Sequence, residues 1–68
     1  MKSMLNYNKV YSIWDSGISY LKKLSEEELI DLKYSLRELR DKYSYNDEEY
    51  EVIGEVLHDV NMTIQFYI

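Results

Sequence analysis

The sequence predicts an all-α fold, a small three-helix unit built on an antiparallel helical hairpin. Three observations carry that prediction. The 68 residues contain no proline and only two glycines, so long stretches are free of the residues that interrupt helices. Apolar residues recur at steps of three and four in three separate stretches, the period of a single helix face. Two of those stretches open with a residue suited to cap a helix and an acidic residue three positions on, the grammar of a capping box. The chain is expected to be one domain, residues 1–68, with helices over about 5–23, 26–43 and 47–66.

In the first helix Tyr7, Val10, Trp14, Ile18 and Leu21 make the apolar seam, and Asn6 or Asn8 is the cap. Gly17 is its weak point. A glycine there either breaks the helix or lets another helix approach closely. A helix that continues through it, straight or kinked, is the expectation, against the β-rich run Ile18-Ser19-Tyr20-Leu21.

The second helix has the clearest signals and is expected to be the central one. Ser25 caps it, Glu28 completes the box, and Leu24 with Leu29 forms the hydrophobic staple. Glu26, Glu27 and Glu28 complement the positive end of the helix dipole. Leu29, Leu32, Leu36, Leu39 and Tyr43 form its seam.

The third helix repeats this start with Asn46 as cap, Glu49 closing the box and Tyr45 with Tyr50 as staple. Tyr50, Ile53, Leu57, Val60, Ile64 and Tyr67 continue its seam. The short connection Ser44-Tyr45-Asn46 forces helices two and three antiparallel. Val52 and Val56 widen the apolar face to one side, where helix one is expected. From Thr63 onward β-branched and aromatic residues leave an extended end as an alternative.

Composition bounds the function. Without cysteine there is neither a disulfide framework nor a thiolate metal site. The start MKSMLNYNKVY lacks the apolar region of a signal peptide, and no apolar run approaches a membrane span. A cytoplasmic protein with no membrane association is expected. The formal charge of −5 is unevenly placed. Residues 1–24 hold four lysines against one aspartate, 25–45 four bases against six carboxylates, and 46–68 six carboxylates with no lysine or arginine. Direct nucleic-acid binding is disfavoured, since it needs a basic footprint.

No catalytic signature is present, and an enzyme is not expected. Thirteen carboxylates make accidental acid pairs uninformative, and there is no phosphate loop or nucleophile elbow. Glu55 and His58 have the Glu-x-x-His spacing of di-iron bundles. Such a site needs further glutamates converging inside a bundle, so neither a metal nor any other cofactor is expected.

Two surfaces are candidates for a protein partner. Glu48, Glu51, Glu55 and Asp59 fall at helical spacing opposite the Ile53 and Leu57 seam, a row of roughly 16 Å. No base interrupts it. It reads either as a solvated face, as a surface for a basic protein, or, in the sharpest form, as a DNA mimic facing a nucleic-acid-binding protein. Ile30 and Tyr34, one turn apart, together with Phe66 and the end at Ile68, read as helix-one contacts or as an apolar binding patch, tyrosine being a common interface anchor. These groups are hard to cover in a monomer this small, so a homodimer is a further expectation. The opening Leu24-Ser25-Glu26-Glu27-Glu28-Leu29-Ile30 resembles that of small helical-hairpin inhibitors of sporulation kinases, a likeness of capping pattern that carries no residue's role across. The functional expectation is a small acidic interaction module, an inhibitor or adaptor of the kind phages and mobile elements encode.

Overall fold

The computed structural model describes residues 5–67. Four helices stand where three were expected: α1 Tyr7–Ser16, α2 Ile18–Leu21, α3 Glu26–Arg40 and α4 Glu48–Tyr67. There is no strand among the described residues. The fold is all-α.

The fourth helix arises at Gly17. Asn6 caps α1, its side chain accepting a hydrogen bond from the Lys9 N–H at 2.9 Å. The helix ends where the Gly17 N–H donates to the Ile13 carbonyl and the backbone turns to φ 71°, ψ −159°. That conformation is essentially reserved for glycine. One turn of α2 follows, the Ser19 hydroxyl donating to the Ser16 carbonyl at 3.0 Å across the break. The buried side of the first helix also differs from the predicted seam. Val10, Ile13 and Leu21 are buried, whereas Trp14 is exposed and Ile18 only half-buried.

α3 starts as its sequence dictates. The Ser25 hydroxyl accepts from the Glu28 N–H at 3.2 Å, and the Glu28 carboxylate accepts from the Ser25 N–H at 2.9 Å. Those hydrogen bonds, the backbone one first, hold the Glu28 carboxyl below its ordinary pKa. A lowered pKa in the folded state means that this contribution to stability is present above the ordinary carboxylate range and lost as pH falls through the lowered value. Ser25→Ala is expected to cost about 1 kcal/mol. Glu28→Gln, which cannot ionise, should flatten the acid limb of the stability curve, which thermal melts between neutral and acid pH would reveal.

Leu29, Leu36 and Leu39 are buried, with Leu32 and Tyr43 packed against them more openly. The helix ends at Arg40, three residues before the predicted limit, and N–H groups of Lys42 and Tyr43 tighten onto the carbonyls of Leu39 and Arg40. The next connection closes on Asp47, not Asn46. Asp47 accepts from the Ser44 N–H at 2.8 Å through its carboxylate and returns its own N–H to the Ser44 carbonyl. α4 therefore starts at Glu48, and Asn46 lies in the turn. The Tyr45 and Tyr50 rings still meet edge to face at 6.1 Å, with Arg40 over the Tyr50 ring.

The central helix is α4, on which α1, α2 and α3 all pack. It has two adjoining apolar seams: Ile53, Leu57 and Val60 continue the line predicted to face α3, and Val52 and Val56 extend it toward α1. Thr63 joins this buried face because its hydroxyl donates to the Asp59 carbonyl at 2.8 Å, so that burial leaves no donor unpaired. The C-terminal alternative of an extended end does not occur, since the helix runs to Tyr67. Tyr67 is nonetheless exposed, under the Lys22 ammonium at 4.2 Å from its ring centre.

Contacts along α4 fix the direction of α1 and α2. Tyr7 meets Tyr43 near the start of α4, Trp14 reaches Glu55 at its middle, and Lys22 reaches Tyr67 at its end. α1 and α2 therefore run with α4, while the short connection turns α3 against it. No helix of the described residues is long and apolar enough to cross a membrane.

Candidate interaction surfaces

The acidic row stands on the side of α4 away from the Ile53 and Leu57 seam, and it also borders α1. Glu48, Glu51 and Glu55 are exposed and Asp59 is half-buried. α1 covers the Val52 and Val56 side of α4, which brings it beside the row. The Trp14 indole N–H donates to the Glu55 carboxylate at 3.5 Å. Burial, then the charges of Glu48 and Glu49, raise the Tyr7 hydroxyl above its ordinary pKa.

Beside the row runs a ladder of aromatic rings that the sequence did not suggest as a unit. Tyr43 and Tyr7 are 6.2 Å apart, Tyr7 and Tyr11 6.1 Å, and Tyr11 and Trp14 5.4 Å, all tilted or edge-on, the geometry that aromatic quadrupoles favour. Tyr11 is 47% exposed and Trp14 36%. Tyr7, Tyr11 and Trp14 have helical spacing, and that spacing was the available signal. It was ambiguous because a core seam has the same period.

The proposed apolar patch is divided. Ile30 and Tyr34 are both exposed, Tyr34 at 56%, and Tyr34 lines a groove between α1 and α3. Phe66 is exposed on the last turn of α4, four residues after exposed Met62, and is not among the residues lining that groove. Ile68 lies outside the described residues.

The groove follows from the helix layout. α1 and α3 each pack on α4 but scarcely on each other, leaving an open channel of about 1040 Å³. Its floor is Leu5, Ile13, Tyr20, Leu24, Leu32 and Leu39. His58 is exposed, while the Glu55 carboxylate is engaged by Trp14. Among the described residues no group of three or more histidine or acidic side chains could hold a metal ion. Compared with protein-family models, with curated proteins and with solved structures, the chain matches none.

Proposed function

We propose that this chain is a small acidic protein–protein interaction module, an inhibitor or adaptor that acts by occupying a partner's surface. The observation that carries this reading is the face shared by α1 and α4, where exposed Tyr11 and Trp14 stand beside Glu48, Glu51 and Glu55. Tyrosine and tryptophan anchor interfaces because they contribute large contact area at a small entropy cost. α4 contains no lysine or arginine, so the adjoining field is negative and favours a partner with basic side chains.

The test uses the immobilised protein and a lysate of the cells it comes from. A protein retained by the wild-type chain is expected to be lost from a Tyr11→Ala, Trp14→Ala chain of unchanged helicity. Glu48→Gln with Glu51→Gln is expected mainly to slow association and to blunt its salt dependence. Unchanged capture by the Tyr11→Ala, Trp14→Ala chain would overturn the assignment of this face.

The reading as a DNA mimic has less support. Glu55 is engaged by Trp14 and Asp59 is half-buried, which leaves Glu48 and Glu51 as the freely presented carboxylates of the four. Under that reading neutralising all four would abolish binding, and added duplex DNA would displace the protein from its target.

A further inference from the structure

The groove between α1 and α3 is a second surface, on the other flank of α1. Lys9 and Ile13 line it, whereas Tyr7, Tyr11 and Trp14 belong to the aromatic ladder. α1, α3 and α4 thus occupy three corners of a bundle in which α1 and α4 run together and α3 against them, and the groove is the vacant fourth. From Glu28 to Leu39 its α3 wall extends about 16 Å, the length of some three helical turns.

The walls are charged unequally. α3 contributes Glu28, Asp31 and Glu38, with Lys42 at the end nearest α4's start. α1 contributes Lys9 as its charged side chain. Tyr7 and Tyr43 are in contact, so Lys42 lies at the end of the groove where α1 begins and Glu28 and Asp31 at the other, while the Lys9 ammonium lies 5.6 Å from the Tyr20 ring centre on the α1 side. An apolar floor between helices, with an acidic wall along α3, has a definite complement.

We propose that this groove binds one amphipathic helix of a partner protein, seated by its apolar stripe, with lysine or arginine along the edge that faces Glu28, Asp31 and Glu38. The stripe would meet half-buried Leu24 and Leu32 on one side and Leu5 and Tyr20 on the other, the arrangement by which helices dock into apolar grooves generally. Tyr34, exposed at the rim, would flank the docked helix. The charged wall selects the partner and the floor holds it.

The probe is a labelled synthetic helix of about 18 residues, long enough to span the wall, with leucines on one stripe and lysines along one flank. A second peptide has glutamates in place of the lysines. Fluorescence anisotropy against the full chain is expected to show the lysine peptide binding at least about tenfold more tightly than the glutamate peptide. Asp31→Lys with Glu38→Lys should reverse that order, and both positions are exposed, so the fold should tolerate the change. Glu28 is left intact because it caps α3. Ser35→Trp, at a half-buried position in the groove, should weaken both peptides.

Three results would overturn the proposal. The two peptides could bind equally, or the double lysine variant could leave their order unchanged. Alternatively, binding could depend on Glu48 and Glu51 instead, which would assign the attraction to the face of α4. Light scattering adds a separate criterion: a dimer whose formation is blocked by Ser35→Trp would mean that a second copy of this chain fills the groove.

Discussion

Leu36→Ala is expected to lower stability by about 3 kcal/mol, within the range of roughly 2 to 5 measured for buried leucines. Leu36 is fully buried near the middle of α3, in the cluster that joins α3 to α4. Truncation removes its transfer energy and leaves a cavity between two helices held by a short connection, where little collapse is available. A domain of this length has a total stability of roughly 3 to 10 kcal/mol, so one side chain accounts for a large share. Leu32→Ala is the internal comparison. Leu32 is half-buried on the groove side, has less area to lose, and should cost about half as much. Urea titrations followed by circular dichroism would compare the two, and a cost below about 1 kcal/mol for Leu36→Ala would mean that α3 does not pack on α4 as described.

Gly17→Ala is the second large effect, and it has a different origin. A Cβ built on Gly17 meets nothing within 4 Å, so no clash opposes the substitution. The cost lies in the backbone, because φ 71° with ψ −159° is strained for an L residue by about 1 to 3 kcal/mol. The chirality of the effect makes it testable in a chain short enough for chemical synthesis. For a D residue these angles mirror into ordinary extended space, so Gly17→D-Ala should be neutral or stabilising, in part by restricting the unfolded chain. Gly54 lies inside α4 with open space around its Cβ position, and Gly54→Ala should stabilise by about 0.5 to 1 kcal/mol. Melting temperatures of the three synthetic chains give the answer. If L-alanine is tolerated at position 17 as well as D-alanine, the first helix runs through it unbroken.

That break illustrates where sequence reading reached its limit. The start of α3 was legible because Ser25 and Glu28 bond each other across three residues and need nothing from the rest of the fold. The seam of α4 was legible because Ile53, Leu57 and Val60 repeat at the helical period. Gly17 in Asp15-Ser16-Gly17 was compatible with a break or a close approach, since a glycine permits a backbone angle without requiring it. Asn46 and Asp47 are both good caps, and α4 begins after Asp47, whose carboxylate closes the preceding turn on the Ser44 N–H. Trp14 and Ile13 exchanged places because the position of α1 on α4 decides which flank is covered. The same unknown concealed the aromatic ladder. Its three α1 rings have a core-like period, and only the placement of α1 shows that two of them face solvent. The groove was equally out of reach, as it depends on a gap between α1 and α3.

The dependence of every other helix on α4 has a consequence for how the chain is made. Synthesis proceeds from the N-terminus, and domains commonly acquire structure in that order. Here α1, α2 and α3 are complete before the first residue of α4 is added, and they scarcely touch one another apart from the adjoining α1 and α2. Val10, Leu21, Leu29 and Leu36 have no surface to bury against until Val52 to Val60 have emerged. A nascent chain stopped before residue 48 is a string of apolar stripes without the helix on which they pack.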